Sequence, residues 1–447
     1  MISLYTIDFV NFINLSLEWI DVELKDVLSE KGYIRGPFGS ALKRNEMKSE
    51  GIPVYEQQNA IYDNREFRYF IDEEKYKTLE RFTTKTDDLI ISCSGTVGKV
   101  SIIKEEDPKG IISQALLTLR VNKELILPEF LKYYFSSYEG YNSLVSRSTG
   151  SVQVNISKRA VIEQIPLKLP PLSVQEKIVH YLSLIDKKIS INTQINHNLD
   201  KLLSTIFVSW FINFEKYDMV NRMVQNENFG EIPANYSEEM LEDFVDFVTG
   251  VEPGSKNYQE TPSEGLIPFI RVGDLGSRDN LVYIEKDLSK SKILEFSDIV
   301  LSLDATVGIV KMGLEGAYST GMRKLVIKDN RINKPFLYCL VKSTRIQRII
   351  ETFATGTTIL HAGKSIKHMN FILSDKETMD EFNRIGQPIL SKMLDNQKEI
   401  EKLTNLRDTL LPKLMSGEID VSQINCDLKL IIKKFILKII NYLEDLI

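Results

Sequence analysis

Short apolar runs separated by turn residues occupy the chain from Trp19 to Pro171, and the same texture returns from about Glu242 to Ser374. In the first stretch Ile52–Tyr55, Leu89–Ser92, 99–103 and Leu116–Val121 favour β-strand, too closely spaced for repeated strand–helix–strand units. They predict an α+β module. Residues 22–28 read as a short helix, 32–39 as a glycine- and proline-punctuated loop, and 128–137 as a helix with proline in its first turn.

Each stretch then gives way to a long helical period. After Pro170-Pro171-Leu172-Ser173, with Ser173 the expected N-cap and Glu176 closing a capping box, apolar residues fall at Ile178, Leu182, Ile185 and Ile189, then at Leu199, Leu203 and Ile206. Steps of four and three make a coiled-coil seam, broken at Asn192 and Asn196. Ile389, Met393, Ile400, Leu403, Leu410 and Leu414 carry the corresponding frame later, with Asn396 where Asn192 stood. A polar residue in a seam costs stability and fixes register. If the helices pair antiparallel, Asn192 and Asn396 lie near the middle, either meeting or each facing water. Thirty-odd helical residues make a rod of ~50 Å, longer than one turn of B-DNA at about 34 Å.

The two stretches are divergent copies of one design, over 24–211 and 241–415. Asp88-Leu89-Ile90-Ile91-Ser92 followed by Thr96-Val97-Gly98 answers to Asp298-Ile299-Val300-Leu301-Ser302 followed by Thr306-Val307-Gly308, with identical spacing. Gly51-Ile52-Pro53-Val54 answers to Gly265-Leu266-Ile267-Pro268, and Thr149-Gly150-Ser151 to Thr355-Gly356-Thr357. A globular module followed by a helix, made twice, predicts two similar recognition surfaces held apart by a spacer with pseudo-twofold symmetry.

Composition narrows the class. A length of 447 residues allows two to four domains. A net charge of −6 speaks against nonspecific coating of nucleic acid but leaves room for local basic patches. Cys93, Cys339 and Cys426 are odd in number and scattered, which predicts a reducing, cytoplasmic setting without a disulfide framework. The first eight residues lack the basic start of a signal peptide, and no run of about 18 uncharged apolar residues predicts a membrane span. The tail beyond Leu428 carries Lys429, Lys433, Lys434, Lys438, Glu444 and Asp445; it reads as a packed amphipathic helix, with a membrane-surface helix as the alternative.

Several elements in order resemble the specificity subunit of type I restriction–modification systems: Gly36-Pro37-Phe38-Gly39-Ser40, the junction Leu167-Lys168-Leu169-Pro170-Pro171-Leu172-Ser173-Val174-Gln175-Glu176-Lys177-Ile178, the helix end Ile206-Phe207-Val208-Ser209-Trp210-Phe211, and Leu406-Arg407-Asp408-Thr409-Leu410-Leu411-Pro412-Lys413-Leu414-Met415-Ser416-Gly417. The likeness spans roughly 19–422. The second junction, Phe371-Ile372-Leu373-Ser374-Asp375, departs from it by lacking the proline pair.

The resemblance implies a non-catalytic subunit with two target-recognition domains, at 1–172 and 215–375. Helical spacers at 173–214 and 376–425 would pair antiparallel, followed by the tail at 426–447. It implies double-stranded DNA as ligand, two methyltransferase subunits and two endonuclease–translocase subunits as partners, and no cofactor in this chain, S-adenosylmethionine, ATP and magnesium being used by the partners. The rival is a degenerate or silent copy acting as a scaffold without DNA binding.

Enzymatic readings find little support. The lone proline pair is flanked by Leu169 and Leu172, which cannot hold a flipped adenine's amino group. Gly95-Thr96-Val97-Gly98-Lys99 lacks the spacing of a phosphate loop. His180, His197, His361 and His368 form no metal-ligand spacing with the cysteines.

Base-reading candidates follow from chemistry: Arg or Lys suits guanine, Asn or Gln suits adenine. In the first module Gln57, Gln58 and Asn59 follow a strand run; an ordinary polar strand end is the alternative. Arg271 is the strongest single candidate in the second, with Asp274 beside it. Lys43 and Arg44, with Lys48, and Lys256 suit phosphate contacts that set register. Ser94, Thr96 and Lys99, with Asp304 and Thr306, sit on loops of small residues that admit close backbone approach. Thr149 and Lys158, with Thr355 and Lys364, complete the set; solvated surface is the alternative for all of them.

Overall fold

The computed structural model describes residues 18–147, 154–216, 222–276, 281–356 and 360–421. Residues 1–8, Thr149 and the tail at 426–447 lie outside them. The chain divides into two compact units, 1–187 with 404–447 and 188–403.

The first unit is α+β. An antiparallel sheet runs in the order Leu28–Arg35, Leu116–Val121, Leu89–Ser92, Val100–Ile102. A smaller mixed sheet sets Ile52–Tyr55 antiparallel to Phe70–Ile71 and parallel to Ile111–Ile112. Ile20–Glu23 pairs antiparallel with Pro166–Leu169, so the start of the module is stitched to the strand that feeds the first long helix. Leu89 and Ile91 face the main core with Leu117, Leu119 and Phe130, while Ile90 turns to a second cluster around Tyr55 and Ile112. Alternating side chains with both faces covered explain why this strand is apolar throughout.

The second unit repeats the plan. Its antiparallel sheet runs Val245–Thr249, Met322–Ile327, Ile299–Ser302, Val310–Lys311. Its mixed sheet places Leu266–Ile270 antiparallel to Val282–Glu285 and parallel to Gly316–Tyr318. Ser237–Met240 pairs with Asn370–Leu373 ahead of the second long helix.

Those helices, Leu172–Phe207 and Lys376–Met415, each contribute to both units. Within the first unit Ile178 and Leu182 share a core with Leu410, Leu411 and Leu414, and Arg407 reaches Asp186 at 3.1 Å. Within the second, Asn192 Nδ2 donates to Glu399 at 2.8 Å and Asn396 Nδ2 to Asn196 Oδ1 at 2.8 Å. Partners descend in number along one helix as they ascend along the other, so the pair is antiparallel. Asn396 therefore meets Asn196, and Asn192 takes an acidic partner one turn further on. Gly386 permits the close packing of the second helix: a Cβ there would lie 2.6 Å from Pro335 Cβ and 3.2 Å from Leu203 Cδ1. Phe207, Phe211, Phe336 and Phe382 interlock beside it, with Phe211 and Phe382 edge to face at 5.0 Å. Phe207, Phe211, Leu411 and Met415 at the helix ends thus fill cores, while Val208 and Ile212 stay exposed.

Four local expectations change. Residues 22–28 form strand, a 3₁₀ turn Leu24–Val27, and strand again; the turn's three-residue period buries Leu24 and Val27 just as a helix would. Half of the predicted loop at 32–39 is strand, which runs on to Arg35, because Gly32 sits in the bulge between Leu28 and Tyr33 and lets the Arg120 carbonyl approach to 2.3 Å from where a Cβ would stand; 36–38 stay irregular. Ser173 is not the N-cap: the helix begins one residue earlier, and the Pro171 carbonyl accepts from the Val174 and Gln175 N–H groups. The segment at Gln57 is a short helix, Gln57–Ile61, rather than a strand end.

Candidate nucleic-acid interface

The repeated Asp…Ser…Gly stretch folds in each unit into one strand and one closed loop, and its polar residues build backbone. Asp88 accepts from the Lys85 N–H at 2.8 Å and Asp298 from the Glu295 N–H at 2.7 Å, capping the turns before their strands. Ser92 Oγ donates to the Thr96 carbonyl at 2.6 Å and accepts from the Lys99 N–H at 3.0 Å. Ser302 Oγ repeats this with Thr306 at 2.6 Å and Ile309 at 2.8 Å. Gly98 and Gly308 close the loops at φ +82° and +86°, where a side chain is strained. The shared spacing is the covalent length of this loop. What it displays differs: Ser94, Gly95 and Thr96 in one unit, half-buried Asp304 with Ala305 and Thr306 in the other.

A capped turn faces each loop. The Glu56 N–H donates to Asn59 Oδ1 at 2.7 Å, and the Arg271 N–H to Asp274 Oδ2 at 2.8 Å. Asn59 is wholly buried and also donates to Asn64 Oδ1 at 3.1 Å and the Glu66 carbonyl at 3.0 Å. Asp274 is buried and takes the Arg271 guanidinium on both oxygens at 3.0 Å. Asn59 and Asp274 thus hold the same structural position, and Arg271 matches Glu56. Gln58 reaches back to the Glu66 carbonyl at 3.1 Å. Of the three amides, Gln57 turns to the loop: a Cβ on Gly95 would lie 3.6 Å from its Nε2.

Around Gln57 the charges form a strip. Glu56 takes Arg68 on both oxygens at 2.8 and 2.9 Å, Arg68 lies 5.6 Å from the Tyr69 ring, and Arg44 donates to the Tyr69 hydroxyl at 3.1 Å. Lys43 is exposed at the start of the same turn.

In the second unit Val272 occupies the Gln57 position and packs beside Gly321 and Asp304. Asp304 and His361 Nδ1 share a 2.7 Å hydrogen bond, and His361 pairs its backbone with Thr355 at 2.8 and 3.0 Å. Arg323, which the sequence reading missed, donates to the Thr320 and Met322 carbonyls at 2.5 and 3.0 Å; burial holds its guanidinium below the ordinary value. Its visible signal was the basic pair Arg323-Lys324 in a strand run otherwise apolar. Asp304, Thr355 and His361 come together, with Arg323 beside Gly363. Thr306 on its loop, Lys256 and Lys364 are exposed, as are Thr96, Lys99 and Lys158 in the first unit.

Among the described residues no group of three or more His, Cys, Asp or Glu side chains is placed to hold a metal ion. No described helix is long and apolar enough to cross a membrane.

Two copies of one α+β module, each tied to an antiparallel helix pair, define the class. A model of the type I restriction modification DNA specificity domain matches residues 17–201 and again 233–408. The chain belongs to that family. The type I restriction enzyme MjaIX specificity subunit of Methanocaldococcus jannaschii is 25% identical over 431 residues, covering 91% of this chain and 95% of that protein. The HindI specificity subunit of Haemophilus influenzae is 23% identical over 388 residues, covering 72% and 84%. The crystal structure of the type I restriction–modification S subunit from M. genitalium shares the fold, with a TM-score of 0.53 at 17% identity over 92% of this chain and 98% of that one.

Proposed function

We propose that this non-catalytic specificity subunit recognises a bipartite double-stranded DNA target, one half through each module. The observation that carries this reading is the duplicated loop and capped turn, built on the same hydrogen bonds but displaying different side chains: Gln57 and Ser94 against Val272 and Asp304. Equal scaffolds with unequal surfaces suit two unequal half-sites. Arg44, Arg68 and Lys43 are placed to hold phosphates and set register. Lys256, Lys364 and Thr355 are the corresponding candidates in the second module.

The paired helices act as the spacer, and their length sets the gap between half-sites. Adding one turn after Asn192, matched by one after Asn396, lengthens that gap and leaves both half-sites unchanged. Ile191, Ile195 and Leu202 form an exposed apolar stripe on the first helix. Such a face fits docking of methyltransferase subunits by helix packing. Adenine methylation with S-adenosylmethionine, and ATP- and magnesium-dependent cleavage by endonuclease–translocase subunits, reside in these partners in the cytoplasm. The partner must flip the target base from the duplex.

The test is a methylome. The chain is expressed with its cognate methyltransferase in a host free of adenine methylation. N6-methyladenine at one bipartite motif, lost when this chain is omitted, is the expected result. A folded complex that marks no motif supports the silent scaffold instead.

A further inference from the structure

In each unit a groove separates a short module helix from the end of a long helix. Ser137 caps the module helix Tyr138–Leu144, and Ser343 caps Thr344–Thr352. Counting from these caps, Glu139 in the first unit holds the place of Arg345 in the second. In the second unit the chain that follows the first long helix takes up Arg345. Its Nη1 donates to the Asn228 carbonyl at 3.2 Å, and its guanidinium carbon lies 3.7 Å from the centre of the Phe229 ring. Phe214, Ile232 and Tyr236 of the same stretch pack with Ile372 of the module.

The groove of the first unit has a volume of about 760 Å³. Leu411 and Met415 line it beside Tyr138, whose ring is 83% exposed. Three acids line it as well. Asp408 is paired with Arg407 at 2.8 Å, and Asp21 stands opposite Lys168 in the strand pair. Among the described residues Glu139 is paired with no cation. An exposed ring and a free carboxylate over apolar side chains suit a helix whose apolar stripe is edged by lysines.

The chain that follows the second long helix carries such a sequence. Val421, where the described residues end, is buried in the same core as Leu411 and Met415, so 422–447 start beside this groove. Leu428, Ile432, Phe435, Ile439 and Leu443 recur in steps of four and three. Lys429, Lys433, Lys434 and Lys438 border that stripe on a helical wheel. Residues 1–17, also outside the described ones, carry one charged side chain, Asp8, of the wrong sign.

We propose that residues 428–443 form a helix docked in the groove of the first unit, the apolar stripe on Tyr138, Leu411 and Met415 and the Lys433–Lys434 pair at Glu139. The tail then does for the first unit what 214–236 do for the second: it fastens the chain leaving a long helix back onto a module. The inference is independent of the DNA-recognition reading.

The experiment is hydrogen exchange on the full chain. Amides of 428–443 are expected to exchange slowly in the wild type, and about tenfold faster when Tyr138→Lys and Glu139→Lys are combined. Adding Lys433→Glu and Lys434→Glu to that chain is expected to restore part of the protection. Exchange over 18–147 in the same spectra shows whether a variant has folded, and Glu139→Lys alone carries the test if the pair has not. Fast exchange of the tail in the wild type overturns the proposal. So does protection that survives in the groove variants, since the helix then lies elsewhere. Protection that grows with protein concentration assigns the tail to a second copy, and protection that needs phosphatidylglycerol vesicles assigns it to a lipid surface; either result overturns the proposal too.

Discussion

The two units solve the same mechanical problems with different residues, and the difference separates what the fold requires from what the surface is free to change. Both tether a module helix to the first long helix by a tyrosine and an aspartate. In the first unit Tyr133 donates to Asp186 at 2.7 Å, and Arg407 from the second long helix completes the cluster. In the second, Tyr338 donates to Asp200 at 2.8 Å, and Lys342 from the same module helix supplies the cation at 2.5 Å. Burial and the adjacent carboxylate hold both phenols above their ordinary range. The elbows differ likewise. After Pro170-Pro171 the first helix is anchored by buried Gln175, which accepts from the Leu127 N–H at 2.9 Å and donates to the Leu125 and Pro170 carbonyls at 3.0 and 2.9 Å. The second junction has no prolines; Asp375 accepts from the Thr378 N–H at 2.9 Å and its hydroxyl at 3.1 Å. One junction is fastened by its neighbours, the other by its own cap. By contrast, the Ser92 and Ser302 loops are closed by the same hydrogen bonds, 2.6 and 3.0 Å in one and 2.6 and 2.8 Å in the other.

The largest test of this comparison is in the cores. Phe207→Ala removes a ring from the aromatic cluster and is expected to cost about 3–5 kcal/mol, whereas Leu411→Ala in the first unit costs about 2–4 kcal/mol. Hydrogen exchange should report the first loss within 188–403 and the second within 1–187 with 404–421. Loss of protection spread evenly over both units would break the division.

The elbows come next. Gln175→Leu strands one N–H and two carbonyls and should lower stability by about 2–3 kcal/mol. Asp375→Ala removes only a cap, for about 1 kcal/mol. Equal effects in urea unfolding would show the two junctions to be equivalent after all.

Ser92→Ala and Ser302→Ala should each cost about 1–2 kcal/mol, and by similar amounts, since each leaves the same carbonyl and N–H without a partner. A large effect in one module alone would mean that the loops are not the common scaffold.

The smallest effect concerns pH. Asn192, donating to Glu399, with Lys188 nearby, holds that carboxyl below the usual carboxylate range. A depressed carboxyl contributes stability above its unfolded value, and the contribution is lost as pH falls through the folded one. Glu399→Gln should flatten the acid side of the stability profile slightly in otherwise unchanged protein; an identical profile would leave register to Asn196 and Asn396.

The sequence by itself determined the duplication, the α+β character, the two long helices and their seam asparagines. These are periodic or covalently spaced features, written locally in residues such as Asp88, Ser92 and Gly98 and their counterparts. Partnerships between residues far apart in the chain were decided by tertiary structure. Asn396 meets Asn196 because antiparallel pairing sets the register, and a seam pattern alone does not. Gln57–Gln58–Asn59 looks like three equal amides until a capping turn buries Asn59, ties down Gln58 and leaves Gln57 on the loop. Tyr55 and Ser113, 58 positions apart in the sequence, are joined only when their parallel strands pair. A side chain's chemistry is local, but whether that chemistry remains unsatisfied depends on everything packed around it.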